Sequence, residues 1–470
     1  MVYSGLTEAL NSWGTVTSLF AHSQPLLLAA IEKQVGEADS SLVLAGVMLS
    51  LVVVYFASKL GGELSNRLGF PPVLGELVGG VLVGVSALHL LIFPGTGIEG
   101  SSSLIMQILQ STDGLRPEAV EPTFKATGEV ISVLSELGVI ILLFEIGLES
   151  NLSELMKVGI QAIVVAVVGV TVPFVAGTAG AMIIFGVPAI PAIFAGAALT
   201  ATSIGITSKV LSELGQLTSK EGQIILGAAI VDDIIGIVIL AVVASLAKTG
   251  RVDVGNVVYL IVSSIVFIVG TLLLGKFVNA AFIAISGRLK TRGALVIPAI
   301  IFVLILSYIG AAIHLEAILG AFAAGLLLDE TEEREALEEL VKPVADLVVP
   351  IFFVTVGART DFGVLNPSVP ANREGLIIAI FLITVAIAGK VVTGLAVFGQ
   401  PQINRLAIGV GMIPRGEVGL VFAGVGSATG IISDSLNAAI IMMVILTTFL
   451  APPLLRFTFP ETSTELVKDS

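Results

Sequence analysis

Long apolar segments recur along almost the whole of this 470-residue chain. Their lengths lie near the ~20 residues that an α-helix needs to cross the hydrocarbon core of a bilayer. Mean hydropathy is +1.04 and only 13% of the residues are charged, against roughly one quarter in a soluble domain. A helix satisfies its own backbone hydrogen bonds in lipid. The sequence therefore predicts an all-α integral membrane protein with one polytopic domain.

Hydropathy predicts about thirteen transmembrane helices. They cover residues 41–58, 72–93, 128–148, 157–185, 188–208, 221–247, 256–285, 294–313, 316–328, 341–357, 375–398, 404–427 and 435–456. The membrane domain is accordingly predicted over 41–457. Residues 1–40 are expected to form an interfacial or mobile N-terminal arm, and 458–470 a short cytoplasmic tail.

Lysine and arginine are distributed unequally between the two predicted sides of the membrane. Fourteen of the 23 basic residues fall on the side that holds the C-terminus and seven on the other side. Because cytoplasmic loops carry the excess of basic residues, we expect the N-terminus outside and the C-terminus in the cytoplasm. The two remaining basic residues, Lys390 and Arg415, lie inside predicted spans.

Several classes of activity are excluded by composition. The chain has no cysteine and three histidines, and His22, His89 and His314 form no zinc-binding pair. No phosphate-binding loop of the ATPase type is present. The sequence thus predicts neither an enzyme, nor catalytic residues, nor a cofactor.

Two predicted spans contain a polar, small-residue interruption. The fifth contains GAALTATSIGIT (196–207) and the twelfth GVGMIPRGEVGL (409–420). Their separation by seven spans, an odd number, would turn the two halves of the chain in opposite directions. This is the inverted repeat of many secondary transporters, in which interrupted helices at matching positions indicate a binding site near the membrane midplane.

Two adjacent acids, Asp232 and Asp233, stand in the apolar segment GAAIVDDIIGIVIL (227–240). A carboxylate at mid-bilayer costs about 2.5–3.5 kcal/mol on the insertion scale, so the pair must meet a cation, a proton or both. The alternative is a purely structural pair of salt-bridge or capping residues. Neighbours on a helix point about 100° apart, which favours separate tasks for the two acids.

Lys390 is the only lysine inside a predicted span, in TVAIAGKVVTGLAV (384–397). A buried ammonium needs a carboxylate partner, and we pair it with Asp232, which leaves Asp233 for a transported ion. The alternative is a lysine whose side chain extends to the membrane surface.

The two interruptions offer different groups. In the twelfth span Pro414 and Gly416 break the helix, and Arg415 and Glu417 flank the break, where they would offset the charges of the two helix ends. In the fifth span Thr200, Thr202 and Ser203 offer hydroxyls and freed carbonyls as ligands for a small cation. Such hydroxyls also commonly bond their own helix. The roles of two further intramembrane acids, Glu76 and Glu145, stay open between an aqueous funnel and pairing across helices.

A family resemblance rests on several segments in order. They are ELGVIILLFEIGLE (136–149), ALTATSIGIT (198–207), Asp232 with Asp233, PIFFVTVGARTD (350–361), Lys390 and MIPRGEVGLVFAG (412–424). Together they resemble the second cation:proton antiporter family, which includes bacterial sodium/proton antiporters and the membrane domains of glutathione-gated potassium efflux systems. The chain looks most similar to the cyanobacterial sodium/proton antiporters of this family.

This resemblance implies a core domain, with two crossing discontinuous helices, that moves against a dimerisation domain in a homodimer. It also implies that the second aspartate, Asp233, binds the cation, and that the first, Asp232, forms a salt bridge with Lys390. Lys390 would then be a salt-bridge partner and a candidate proton carrier, as in electrogenic members. Only a short segment follows the last predicted span, so no nucleotide-binding domain is expected.

The resulting hypothesis is exchange of a monovalent cation, in the first place Na⁺, for H⁺ by alternating access, in a prokaryotic cytoplasmic membrane or a thylakoid membrane. The alternatives are a K⁺/H⁺ antiporter and an uncoupled cation channel of the same fold. An intramembrane aspartyl protease is disfavoured, because its two carboxyl groups must face one water from separate helices. Selectivity among Na⁺, K⁺ and Li⁺, the stoichiometry and the response to pH are not determined by the sequence.

Overall fold

The computed structural model describes residues 39–94, 98–249, 251–329, 331, 333–366, 368, 370–399 and 402–459. The predicted N-terminal arm and the predicted C-terminal tail lie almost entirely outside these residues. Within them the chain is helical and contains no β-strand. The predicted all-α fold is confirmed.

Sixteen α-helices occur within the described residues. They are α1 (Ser40–Arg67), α2 (Pro72–Val83), α3 (Leu104–Thr112), α4 (Pro117–Glu149), α5 (Leu152–Phe185), α6 (Ala189–Ala198), α7 (Ile204–Glu213), α8 (Lys220–Thr249), α9 (Val254–Ser286), α10 (Val296–Ala312), α11 (Ala317–Asp329), α12 (Arg334–Ala358), α13 (Pro370–Thr393), α14 (Arg405–Gly411), α15 (Glu417–Ala428) and α16 (Asp434–Thr458). Short 3₁₀ turns cover Gly100–Ser102, Phe362–Leu365 and Gly394–Ala396.

Several helices begin at a residue whose side chain accepts a hydrogen bond from the first turn. Asp39, Asn151, Asp253, Asn404 and Ser433 cap α1, α5, α9, α14 and α16 in this way. Such caps satisfy donors that the helix itself leaves unpaired, and they stand in the polar sequence between apolar segments. The helix starts are therefore encoded locally.

Each predicted span corresponds to a helix, or to a pair of helices separated by a break. Eight helices among the described residues are long and apolar enough to cross a membrane, and five further apolar helices are shorter. The breaks at residues 199–203 and 412–416 divide the fifth and twelfth predicted spans into α6 with α7 and α14 with α15.

The second predicted span, 72–93, is too long, because α2 ends at Val83. The chain turns at Gly84, where an added Cβ would lie 2.3 Å from the carbonyl oxygen of Ala358. The N–H of Val85 then bonds that same oxygen at 3.1 Å. Apolar residues beyond the turn, such as Leu91 and Phe93, are buried as a loop against neighbouring helices.

The helices pack into two groups. The first bundle is formed by α1, α2, α4, α10, α11 and α12, and the second by α5, α6, α8, α13, α15 and α16. Small residues bring helices close, as at Gly61 of α1 and Gly75 of α2, where an added Cβ on either would lie about 2 Å from the other's carbonyl oxygen. The half-helix α7 lies between the bundles and contacts members of both.

Candidate functional site

The two interrupted helices cross at their breaks, and each break bonds the backbone of the other. The N–H of Ser203 donates to the carbonyl of Pro414 at 2.8 Å. The hydroxyls of Thr202 and Thr207 donate to the carbonyls of Met412 and Gly411, each at 3.1 Å. Buried carbonyls that lack a helical partner are costly, so these bonds hold the crossing together. The predicted crossing of two discontinuous helices is present.

Two of the three hydroxyls predicted as cation ligands donate hydrogen bonds in this structure. The Thr200 hydroxyl donates to the carbonyl of Ala197 in its own helix at 2.7 Å. Thr202 donates across the crossing, and Ser203 is buried beside it. A hydroxyl oxygen that donates its proton retains acceptor lone pairs. The hydroxyl oxygens of Thr200 and Thr202 can therefore still coordinate a cation.

Lys390 of α13 and Asp232 of α8 form the ion pair that the sequence predicted. The Nζ of Lys390 donates to Oδ2 of Asp232 at 2.9 Å, and both side chains are 0% exposed. The alternative of a lysine that extends to the membrane surface is therefore wrong. Room for the ammonium comes from Gly169 of α5, where an added Cβ would lie 3.3 Å from Nζ.

Asp233, the next residue of α8, is also buried, at 4% exposure. It interacts electrostatically with Lys390. Helix α8 passes both breaks, since Gly236 approaches Ala201 in the first and Ile225 approaches Gly411, the last residue of α14 before the second. Both aspartates thus lie on the α8 segment between these two contacts, beside the crossing.

Arg415 is completely buried in the second break. Its Nη1 donates to the carbonyl of Ala201 in the first break. Its own carbonyl accepts a hydrogen bond of 2.5 Å from the hydroxyl of Thr448 in α16. Arg415 therefore links both breaks to a continuous helix, a contact that the sequence did not reveal. Helix α15 begins at Glu417 as expected, but the Glu417 side chain lies outside the described residues.

A second group of charges lies between the two bundles, and we call Lys209, Glu213, Glu76 and Glu145 the interface cluster. Lys209, on α7, interacts electrostatically with all three glutamates. The carboxylate of Glu213 accepts the N–H of Val73, at the start of α2, at 3.3 Å. Glu76 accepts a hydrogen bond from Ser58 at 2.8 Å.

Sequence reasoning identified Glu76 and Glu145 as intramembrane acids but missed Lys209 and Glu213. These two residues are one helical turn apart on α7, so they would lie on one face. That spacing, at the end of an interrupted helix, is the signal that could have found them.

The arrangement offers oxygen ligands rather than a resident metal centre. Within the part of the chain that the structure describes, no three histidine, cysteine, aspartate or glutamate side chains form a group that could hold a metal ion. The crossing instead combines two buried carboxylates with hydroxyl and carbonyl oxygens, which are hard ligands suited to a small cation. Reversible binding of a cation or a proton is the chemistry that this set supports.

Comparison with known proteins gives consistent matches over most of the chain. A family model described as the transmembrane sodium/hydrogen exchanger matches residues 47–459. The chain is 63% identical over 435 residues to the high-affinity Na⁺/H⁺ antiporter NhaS3 of Synechocystis sp., which covers 93% of this chain and 94% of that protein. It is 32% identical over 413 residues to the Na⁺/H⁺-K⁺ antiporter GerN of Bacillus cereus, which covers 87% and 95%.

A solved structure has the same fold. The structure of the sodium proton antiporter MjNhaP1 from Methanocaldococcus jannaschii at pH 8 matches with a TM-score of 0.59 and 17% identity, covering 88% of this chain and 96% of that one. At this identity the likeness concerns the fold alone.

Proposed function

Because the chain belongs to the sodium/hydrogen exchanger family, we propose that it is a secondary active transporter that exchanges Na⁺ for H⁺ across a membrane. The observation that carries this proposal is the placement of Asp232, Asp233 and Lys390, at most 4% exposed, beside the crossing of two interrupted helices. Charges in such a dry site persist only where they have a defined task or partner.

Asp233 is the proposed site of both transported ions. Its ionised carboxylate binds Na⁺ with help from the oxygens of Thr200, Thr202 and Ser203, and its neutral form carries H⁺. One carboxylate cannot hold both at once, so Na⁺ at the site expels H⁺ and a high proton concentration expels Na⁺. This mutual exclusion couples the two gradients without covalent chemistry.

Lys390 has a supporting role. Its 2.9 Å ion pair with Asp232 balances one of the two adjacent negative charges, and therefore leaves a single carboxylate to meet the cation. When Na⁺ arrives at Asp233, the ammonium is the mobile positive charge next to it, and we propose that it carries a proton in the exchange. With two aspartates and one lysine the exchange is expected to be electrogenic.

The membrane context follows the same reasoning. The chain is a multi-pass integral membrane protein. We propose a homodimer in a prokaryotic membrane, cytoplasmic or thylakoid, with the N-terminus outside and the C-terminus in the cytoplasm. The excess of basic residues on the C-terminal side supports this orientation.

Exchange in proteoliposomes tests the proposal. Purified protein is reconstituted, and proton movement is followed with a pH-sensitive dye after addition of Na⁺, K⁺ or Li⁺ in turn. Asp233→Asn is expected to abolish Na⁺-dependent proton movement, because an amide can neither ionise nor carry the proton. The matched control is Asp113→Asn, the same change at an exposed residue after α3, which should exchange like the wild type.

Two results would contradict the proposal. Near-normal exchange by Asp233→Asn would show that another group binds the ions. Cation flux that ignores a pH gradient would indicate a channel. Exchange driven by K⁺ as strongly as by Na⁺ would instead favour the K⁺/H⁺ alternative, which the name of the relative GerN makes worth testing.

A further inference from the structure

Three buried polar atoms at the crossing have no hydrogen-bond partner among the described residues. They are Oδ1 of Asp232 and the Nε and Nη2 atoms of Arg415. Both side chains are 0% exposed. A buried donor or acceptor that stays unpaired is costly, and a charged one more so. One acceptor on an acidic side chain and two donors on a basic side chain therefore remain unpaired in the same buried region.

The unpaired atoms belong to side chains that interact electrostatically. Arg415 interacts electrostatically with Asp232 and with Lys390. Asp232 uses only Oδ2 for its bond with Lys390. Arg415 uses only Nη1, for its bond with the carbonyl of Ala201. The side chains of Asp232 and Arg415 thus each make one hydrogen bond and keep at least one unpaired polar atom.

The fixed contacts of Arg415 lie on the backbone of the crossing. The Ala201 carbonyl and the Thr448 hydroxyl hold it where the two breaks meet. Lys390 has a long, flexible side chain with three rotatable donors, whereas the guanidinium is planar and always charged. Of the two cations, Lys390 is therefore the one able to withdraw, and Arg415 the one that stays.

We propose that Arg415 is the second cationic partner of Asp232, and that its Nε and Nη2 groups bind Oδ1 when Lys390 leaves Oδ2. This inference rests on the proposed function. Asp232 then keeps a positive partner throughout the cycle, while Lys390 is released for its part in exchange. Arg415 is a positioning residue, since it acts on Na⁺ and H⁺ only through Asp232.

A simpler role for Arg415 would be to stabilise the ends of α14 and α15. That role depends on the helix ends and not on Lys390 or Asp232. The two roles are separated by asking whether the effect of changing Arg415 depends on its proposed partners.

The experiment is a double-mutant cycle in proteoliposomes with Lys390→Ala, Arg415→Gln and the combination. Glutamine keeps an N–H donor for the Ala201 carbonyl and removes the charge. If the two cations replace each other, the combination should lower kcat at least about tenfold below the product of the two single effects, a coupling of ~1.4 kcal/mol. KM for Na⁺ should change much less than kcat. Lys390→Ala with Arg415→Lys, which keeps the positive charge, should recover most of the loss.

Purely multiplicative effects of Lys390→Ala and Arg415→Gln would overturn the proposal. If the combination does not fold, the cycle is repeated with Asp232→Asn. Arg415→Gln should then have less than about a twofold further effect on kcat, because its partner charge is already gone. An equal effect with and without Asp232 would also overturn it. The cycle is measured only after the wild type has been shown to exchange Na⁺ for H⁺. A failure of the proposed function would therefore appear in the wild type, before any variant is compared.

Discussion

The charges at the crossing and those of the interface cluster use the same side chains in different surroundings. At the crossing, Lys390 and Asp232 are 0% exposed. In the interface cluster, Lys209, Glu213 and Glu76 are partly exposed, whereas Glu145 is buried. Both sites join a lysine to carboxylates from separate helices. They differ chiefly in how much water reaches them.

That difference decides what each site can do. Opposite charges attract far more strongly where water is excluded, and the cost of leaving one unpaired rises in parallel. Each charge at the crossing therefore needs an oppositely charged partner in every state. This suits a site where one bound cation replaces another. Three of the four charges in the interface cluster are partly exposed, so separating them costs less than at the crossing, which suits surfaces that move past each other.

One short helix joins the two sites. Thr207, near the start of α7, donates a hydrogen bond to the carbonyl of Gly411, next to the second break. Glu213, at the end of α7, accepts a hydrogen bond from Val73 of the first bundle. The proposed ion-binding site at the crossing and the contact with the first bundle are thus connected by ten residues of helix.

The largest contrast is expected between an ion pair broken at the buried crossing and one broken at the exposed surface. Asp232→Ala leaves Lys390 and Arg415 as buried cations and should destabilise the protein by about 3–5 kcal/mol. Glu154→Ala breaks the exposed pair with Lys157, of 2.6 Å, and should cost at most about 1 kcal/mol. Thermal melting of both variants in detergent measures the difference. Equal melting temperatures would show that water reaches the crossing.

A smaller effect is expected where the crossing loses one hydrogen bond. Thr207→Val removes the donor to the Gly411 carbonyl at 3.1 Å and leaves a buried acceptor unpaired, which costs about 1–3 kcal/mol. Thr207→Ser keeps the hydroxyl and is the matched control. The valine variant should melt at the lower temperature and the serine variant near the wild type. If the valine variant melts at the wild-type temperature, this hydrogen bond does not contribute to stability.

The buried ion pair and the two breaks could be predicted from the sequence, because few arrangements pair a charge inside a membrane. Asp232 had one lysine available inside a span, Lys390, and the structure forms that pair. Likewise, the breaks at 199–203 and 412–416 were visible because polar and helix-breaking residues interrupt apolar segments. Charges inside a membrane are costly enough to restrict their use.

The interface cluster and the end of α2 could not be predicted in the same way. A lysine such as Lys209 near a loop is commonly solvated, and only packing brings it to Glu76 and Glu145, which are far away in the chain. Hydropathy also assigned 84–93 to a helix, since it does not distinguish an apolar loop from an apolar helix. Leu91, Ile92 and Phe93 are buried there without helical structure.

The smallest effect is expected in the interface cluster, and it should depend on salt. Lys209→Ala removes a positive charge from the predicted cytoplasmic end, which makes the local potential more negative and attracts cations. The apparent KM for Na⁺ from that side should fall by about two- to threefold at low ionic strength. At high salt the difference should disappear, because partly exposed charges are screened beyond about 10 Å at 0.1 M. Inside-out vesicles, with choline chloride as the added salt, allow this measurement.

The control for this prediction is Lys220→Ala, which removes the same charge from an exposed position at the start of α8. If the position of Lys209 among the glutamates matters, Lys220→Ala should change KM less. An effect of Lys209→Ala that is as large at high salt as at low salt would mean that water does not screen the interface cluster. The proposed division between a dry binding site and a wet moving surface would then fail, because both sites would hold their charges in the same way.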